Sequence, residues 1–236
     1  MDAIQVEELV RKVLAELNSQ DLEPDSGSVL VGVSARHVHV TASHFAALFG
    51  EDADLARFKP LNGGQYASAC QVALVSPSMK CIENVRILGP FRKETQVEIS
   101  RSDARALKVD PPVRPSGVLD GTPGITLAGP HGSVTLTKGL IISNRHIHIP
   151  PSFANRLGLE ENDFVECMME GERKTVFCGV QIRVDPSFAP EMHIDTDDAN
   201  SAGIIGKARA VILGKGADGH GARTHCGHCG CHKKSG

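Results

Sequence analysis

The sequence predicts a mainly β protein with short helices, built as a barrel or sandwich from two related half-units. One observation is that short apolar runs, separated by Gly, Pro, Asn and Asp, fill the chain from residue 29 to about residue 214. A second is that the motif Arg-His-aliphatic-His-aliphatic occurs twice, at Arg36–Val40 and at Arg145–Ile149. The spacing of the two copies favours half-units of roughly 100 residues.

Both copies of the motif are predicted to be strands, because β-branched and apolar residues lead into each. Side chains on a strand alternate between faces, so two histidines separated by one residue point the same way. Paired imidazoles on one face can chelate a borderline-soft metal such as zinc. A single pair could equally be exposed or hydrogen-bonded, but two matching pairs predict a two-metal site. The four histidines are His37, His39, His146 and His148.

The other elements follow from the same patterns. Short helices are predicted at Ala42–Leu48, Ser102–Leu107, Ser152–Leu157 and Asp197–Ala202. The remaining strands are predicted at Gln71–Val75, Val85–Leu88, Val97–Ser100, Ile125–Leu127, Val134–Thr137, Leu140–Ser143, Phe164–Met168, Val176–Val184 and Ala208–Leu213. In both halves a Thr- or Pro-rich cap and a short helix follow the His-x-His strand.

The two ends of the chain differ from the rest. Residues 1–20 contain an amphipathic helix, and residues 21–28 have the composition of a linker. The apolar face of this helix predicts either docking in a partner's groove or packing on its own domain. Residues 215–236 are rich in Cys, His and Gly and lack core-forming residues, which predicts an incidental chelator more than a functional metal site.

The bulk composition excludes several classes of function. The net charge is −3, Trp is absent and there is one Tyr, so we expect no nucleic-acid partner. No apolar run reaches the 18 residues of a membrane span, and no signal peptide is recognisable. The odd number of cysteines, seven, fits a reduced cytoplasmic compartment better than a disulfide framework.

Polar residues in the stretch Gly89–Ser100 are candidates for the first half of the site. Gln96 and Glu98 share one face of a predicted strand, and Glu98 could complete the coordination of the first histidine pair. Arg92 could hold a phosphate or carboxylate with its guanidinium fork. The alternative is a surface hairpin that carries charged side chains without a functional role.

The second half of the site has its own candidates. His193 is a natural third ligand for the second histidine pair, and Asp195 lies on the same strand face, where it could orient an imidazole. Arg183 alternates with apolar neighbours and could point into a polar site. Nucleotide-binding glycine motifs and the Gly-x-Ser-x-Gly elbow are absent. A metal cluster beside an arginine suits chemistry on phosphate or an activated carbonyl.

Four stretches in order, Ser34–His39, Gly89–Glu98, Ser143–His148 and Met192–Asn200, resemble one family closely. It is the PduL-type phosphate propanoyltransferase family, the phosphotransacylases of bacterial microcompartments. The resemblance covers about residues 29–213, and residues 1–20 also resemble the family's encapsulation helix, which targets cargo to the shell interior. One departure is Asn62-Gly63-Gly64-Gln65, where the family often has Gln-Pro-Gly-Gln.

The resemblance implies two interleaved β-barrels capped by short helices, one from residues 29–36 and 144–214 and one from residues 37–143. It implies two zinc ions per chain, Arg92 as the residue that contacts phosphate, and coenzyme A near a dimer interface. The implied metal ligands are His37, His39 and Glu98 for one ion and His146, His148 and His193 for the other. The implied substrate-binding residues besides Arg92 are Gln65, Gln96, Ser116 and Arg183.

The implied activity is the reversible reaction of a short-chain acyl-CoA with phosphate, which gives an acyl phosphate and CoA, inside a microcompartment. Shell or cargo proteins would bind the N-terminal helix, and the chain would form a homodimer or larger homo-oligomer. Two rival functions stay open: a zinc-dependent hydrolase of thioesters or phosphoesters, and a non-enzymatic metal-binding scaffold component.

Overall fold

The structure is a computed structural model that describes residues 27–216. The predicted N-terminal helix, most of the predicted linker and most of the predicted Cys/His-rich tail lie outside the described residues. Fifteen strands occupy much of residues 27–216. They are β1 (Ser28–Ser34), β2 (His37–His39), β3 (Arg57–Pro60), β4 (Tyr66–Val75), β5 (Cys81–Gly89), β6 (Gln96–Glu98), β7 (Val113–Arg114), β8 (Thr126–Ala128), β9 (Ser133–Thr135), β10 (Leu140–Ser143), β11 (His146–Ile149), β12 (Phe164–Met169), β13 (Thr175–Val184), β14 (Glu191–Asp195) and β15 (Ala208–Lys215).

The strands form two units, and the predicted mainly β, barrel-type fold is confirmed. One unit is a closed barrel with the strand order β1-β14-β11-β13-β12-β15. The other is a curled nine-stranded sheet with the order β7-β10-β6-β2-β5-β4-β8-β9, to which β3 adds by pairing with β4.

Four short helices cap these sheets: α1 (Ala42–Phe49), α2 (Arg101–Leu107), α3 (Pro151–Leu157) and α4 (Thr196–Ala202). Each predicted helix is present, with bounds that differ by a single residue. The Thr41 side chain caps α1 by accepting a hydrogen bond from the His44 amide, and Pro150 precedes α3. In both units, therefore, a cap and a short helix follow the strand that carries the histidine pair.

Two strands were not predicted, β3 and β7. All four residues of β3 are exposed and it contains Pro60, so it has no apolar alternation to detect. β7 has only two residues. Both pair at the margins of the second sheet, where tertiary contacts and not local propensity decide the conformation.

The two units exchange one strand each. β1 comes directly before the first histidine pair, yet it pairs with β14 and β15 in the barrel that holds the second pair. β10 comes directly before the second pair, yet it runs parallel to β6 in the sheet that holds the first. The chain therefore crosses between the units immediately before each histidine pair.

Each histidine strand also contributes to a separate apolar core. Val38, between the first two histidines, is fully buried in the core of the nine-stranded sheet. Ile147, between the second two, is fully buried in the core of the closed barrel. Because alternate residues face opposite ways, burial of these two residues turns all four histidines to the other face of their sheets.

Replacing Ile147→Ala should lower the free energy of unfolding by about 2–5 kcal/mol, since the lost side chain leaves a cavity in the barrel core. Equilibrium unfolding in urea measures this change. Ile205→Ala is the matched control, because Ile205 is 83% exposed and its truncation should stay within about 0.5 kcal/mol of the parent. Equal effects of the two substitutions would contradict the assignment of Ile147 to the core.

Candidate functional site

The first group of candidate ligands lies where β2 pairs with β6. These strands are antiparallel, and the register sets His37 opposite Glu98 and His39 opposite Gln96. Glu98 Oε1 lies 3.5 Å from His37 Nε2 and 3.8 Å from His39 Nε2. All three side chains are largely buried. We call His37, His39 and Glu98 the first trio.

The second group lies where β11 pairs with β14 in the same antiparallel manner. The register sets His146 opposite His193 and His148 opposite Glu191. The three imidazoles contact one another, with ring centroids 4.6 Å apart for His148 and His193 and 5.0 Å apart for His146 and His193. We call His146, His148 and His193 the second trio.

The first histidine of each pair is held by the same hydrogen bond. His37 Nδ1 lies 2.9 Å from the Ala35 carbonyl oxygen, and His146 Nδ1 lies 2.9 Å from the Asn144 carbonyl oxygen. A carbonyl accepts only from a protonated nitrogen, so Nδ1 carries the hydrogen in both rings. When the ring is neutral, Nε2 is therefore the unprotonated nitrogen and can bind a metal ion.

The side chains of the first trio fit a bound metal ion. Within residues 27–216, the first trio is the group whose potential ligand atoms converge, all lying within 4.8 Å of one another. In the second trio, the buried nitrogen His148 Nδ1 has no hydrogen-bond partner. Such atoms are costly to bury unless something binds them. Imidazole and carboxylate together are the donors that zinc prefers.

The two trios open onto one pocket. Its lining includes His37 and Glu98 from the first trio and His146 and His193 from the second. The crossover segments around Ala35 and Asn144 complete the wall. A ligand in this pocket can therefore reach donors from both units at once.

Arg92 belongs to a hydrogen-bond network that ends at the first trio. Its guanidinium donates to Ser116 Oγ at 2.9 Å and to Gln65 Oε1 at 3.4 Å. Gln96 Nε2 donates both to Ser116 Oγ, at 2.9 Å, and to Glu98 Oε1. The structure thus brings together Arg92 and three of the four other predicted substrate-binding residues, around the carboxylate of Glu98.

Arg183, the fourth predicted substrate-binding residue, lies outside the Arg92 network. It is on β13 beside β11, opposite His148 in the register, and its Nε donates to Glu161 Oε1 at 3.2 Å. It therefore borders the second trio and is not part of the Arg92 network. Asp195 does not orient an imidazole as expected: its carboxylate accepts a hydrogen bond from the Asp198 amide and caps α4.

Glu98 and His37 stabilise each other's charged forms in the first trio. Burial acts to raise the pKa of Glu98, but the charge and hydrogen bond of His37, with the charge of His39, hold this pKa far below its usual range. Burial acts to lower the pKa of His37, but Glu98 and the Ala35 carbonyl raise it above its ordinary value. Burial and the charge of His37 lower the pKa of His39 to about 3.

Two histidines of the second trio, His146 and His148, resist protonation. Burial, followed by the charge of His193, lowers the pKa of His146 to about 4. The same two causes, in the same order, lower the pKa of His148 to about 3. Two imidazoles that resist protonation are available as metal donors over a wide pH range.

Three residues of the site were missed by sequence reasoning, namely Asn62 (except as a departure from the family motif), Phe188 and Glu191. Asn62 Nδ2 donates to Glu191 Oε2 at 3.0 Å, and that oxygen lies 3.3 Å from His193 Nε2. Phe188 stacks on His148 at 4.0 Å and packs against Gly63, whose positive φ of 66° suits glycine. Only the position of Glu191, two residues before His193 on one strand face, was visible in the sequence.

The comparisons with known proteins agree with this geometry. A sequence model of the phosphate propanoyltransferase family matches residues 30–205. The chain is 47% identical to the phosphate propanoyltransferase of Lachnoclostridium phytofermentans over 90% of this chain and 100% of the relative. It is 51% identical to that of Thermotoga maritima over 74% of this chain and 83% of the relative, and 43% identical to that of Salmonella arizonae over 86% and 93%.

A buried His/Glu cluster linked by hydrogen bonds to Arg92, on a barrel fold with these relatives, defines an enzyme of the phosphate acyltransferase class. Within that class, the chain belongs to the phosphate propanoyltransferase family. In residues 27–216, no helix has the length and apolar character needed to span a membrane.

The depressed histidine pKa values predict that the metal-free protein loses stability in mild acid. The unfolded chain binds protons at His146 and His148 below about 6.5, whereas the folded chain does so only near pKa values of about 4 and about 3. The free energy of unfolding should therefore fall as the pH drops from about 6.5 to about 4. Urea unfolding of chelator-treated protein over this range measures it, and a His148→Gln variant should show a shallower fall. An identical fall in parent and variant would contradict the assigned pKa of His148.

Proposed function

We propose that this protein interconverts a short-chain acyl-CoA and phosphate with an acyl phosphate and free CoA. The observation that carries the proposal is the position of Arg92, joined through Ser116 and Gln96 to the carboxylate of the converging first trio. An anion-binding group and a candidate metal site are thus neighbours. Relatives named phosphate propanoyltransferase support the same reaction.

Arg92 is proposed to bind the phosphate. A guanidinium has five N–H groups, and two of those on Arg92 donate to Ser116 and Gln65, which fix its plane. The remaining groups can hold phosphate oxygens in the bidentate manner. Burial lowers the pKa of Arg92, while Glu98 acts to raise it, and an arginine stays charged under such influences. Fixing the phosphate beside the thioester carbon lowers the entropic part of the barrier.

The two trios are proposed to hold two zinc ions, with His37, His39 and Glu98 on one and His146, His148 and His193 on the other. When bound, zinc supplies Lewis-acid polarisation of the thioester carbonyl and stabilises the oxyanion formed on it. Gln96 and Ser116 keep Glu98 oriented by donating to its Oε1. Arg183 is proposed to contact substrate next to the second trio.

The phosphate oxygen is proposed to attack the thioester carbon directly, with CoA leaving as the thiolate. An acyl-enzyme on cysteine would need a thiol in the pocket. None of the four cysteines within residues 27–216 lines it, and Cys167 is buried in the barrel core, where burial raises its thiol pKa to about 12.

The location and assembly of the protein are also proposals. We propose that residues 1–20 bind microcompartment shell or cargo proteins and bring the enzyme into the lumen, and that the chain assembles as a homodimer or larger homo-oligomer. The division into domains at residues 29–36 with 144–214, and at residues 37–143, stays a prediction.

One assay separates the proposed transferase from the rival hydrolase and from a scaffold component. Propionyl-CoA is supplied with and without phosphate, and free CoA thiol and acyl phosphate are measured together. We expect thiol release to require phosphate and to match acyl phosphate formation. Thiol release without phosphate would indicate a hydrolase, and no turnover would indicate a scaffold. Repeating the assay with acetyl-CoA and longer acyl-CoAs measures the chain-length preference.

Arg92→Lys should reduce kcat/KM for phosphate by about 10–100-fold, since a point charge replaces the fork that binds two oxygens. Zinc content should stay at the parent value, because Arg92 is not a proposed ligand. Steady-state kinetics at varied phosphate, with metal analysis of the same samples, measure both. Arg156→Lys is the control, since Arg156 lies on the exposed face of α3. Normal phosphate kinetics in Arg92→Lys would contradict the proposal that Arg92 binds phosphate.

A further inference from the structure

Each copy of the repeated motif begins with an arginine that the proposed reaction does not use. Both guanidiniums bind an aspartate. Arg36 Nη2 lies 2.9 Å from Asp103 Oδ1. Arg145 binds Asp198 with two bonds of 2.8 Å, from Nε and from Nη2.

The two aspartates occupy equivalent places. Asp103 is the third residue of α2, the helix that follows the Glu98 strand, and Asp198 is the third residue of α4, the helix that follows the His193 strand. The residue before each helix, Ser100 or Asp195, caps it with its side chain. The duplication therefore extends from the histidine pairs to an ion pair beside each trio.

These ion pairs lie just past the ends of the ladders that carry the ligands. His37 opposite Glu98 is the last residue pair between β2 and β6, and His146 opposite His193 is the last between β11 and β14. Along each of these two ladders a terminal pair is followed by further residue pairs in one direction only, so this contact opens more readily than an interior one. Opening would separate the third ligand of each trio from its histidines.

We propose that Arg36 and Arg145 are positioning residues that clamp these ladder ends and so set the geometry of the two trios. Each arginine ties the start of a histidine strand to the helix that continues the third-ligand strand. It also anchors the loop whose carbonyl, on Ala35 or Asn144, orients the first histidine. The inference rests on the proposed metal centres.

The two clamps differ in strength. Arg145 uses both carboxylate oxygens of Asp198 and lies over the Phe177 ring at 4.4 Å. Arg36 contacts one oxygen of Asp103, while the other accepts a hydrogen bond from the Ser100 amide. Lysine cannot reproduce a bidentate, stacked contact, so it should replace Arg36 better than Arg145.

The test measures zinc release from the full-length, zinc-loaded protein to a chromophoric chelator. Partners that support metal ligands typically change metal affinity by 10–100-fold. We therefore expect Arg145→Lys to accelerate one of two release phases by at least about tenfold, and Arg36→Lys to accelerate the other by less. His148→Gln and His39→Gln assign the phases to the second and first trio. Asp198→Asn, which removes the same ion pair without loss of volume, should reproduce the effect of Arg145→Lys.

Arg101→Lys is the matched control. Arg101 is as exposed as Arg36, at 42%, and its ion pair with Asp110 has a similar length of 2.8 Å, but it clamps no ladder. Unchanged thermal midpoints of the metal-free variants separate positioning from loss of fold. If Arg145→Lys does not fold, Asp198→Asn carries the test alone.

Zinc release at the parent rate from Arg145→Lys and Asp198→Asn would overturn the inference and leave the proposed metal centres intact. Equal acceleration by Arg101→Lys would also overturn it, because the effect would then be nonspecific. A parent protein that binds no zinc at either trio would overturn both the proposed centres and the inference.

Discussion

The antiparallel pairing of a His-x-His strand with the strand that carries the third ligand is the constraint on which the site depends. It occurs twice, between β2 and β6 and between β11 and β14. In each case the register sets the third ligand opposite the first histidine. Because side chains alternate with a period of two, a slip of one residue would turn Glu98 or His193 to the core face and destroy the trio. Burial of Val97 and Met192, which precede Glu98 and His193, opposes such a slip.

The exchange of β1 and β10 between the two units brings the two trios to one shared pocket. Each crossover segment passes from one unit to the other immediately before a histidine strand, and both segments line the pocket. The trios therefore lie at the junction of the units and not at their far ends. Asn62 adds a further link, since it belongs to the nine-stranded unit and bonds both Ala189 and Glu191 of the barrel.

The duplication is structural, but the two trios differ electrostatically. The third residue of the first trio is the carboxylate Glu98, and Gln96, two residues earlier, donates to it. The third residue of the second trio is His193, and the residue two positions earlier is the acceptor Glu191. Each third ligand thus has a neighbour of complementary hydrogen-bonding character. The trio with the carboxylate is joined to Arg92 through Gln96 and Ser116, whereas the second trio borders Arg183.

Much of this architecture was predictable from the sequence. The repeated motif, the apolar alternation and the caps determine the four helices, most strands and the common face of each histidine pair, because these depend on residues close together in the chain. The grouping of Glu98 with His37 and of His193 with His146 was predicted as a chemical match, but the strand register decides it. The Asn62 and Glu191 contact, the binding of Arg183 by Glu161 and the clamps on Arg36 and Arg145 come only from the tertiary structure. Each joins residues that are distant in the chain, and local patterns carry no information about which distant partners a polar side chain will find.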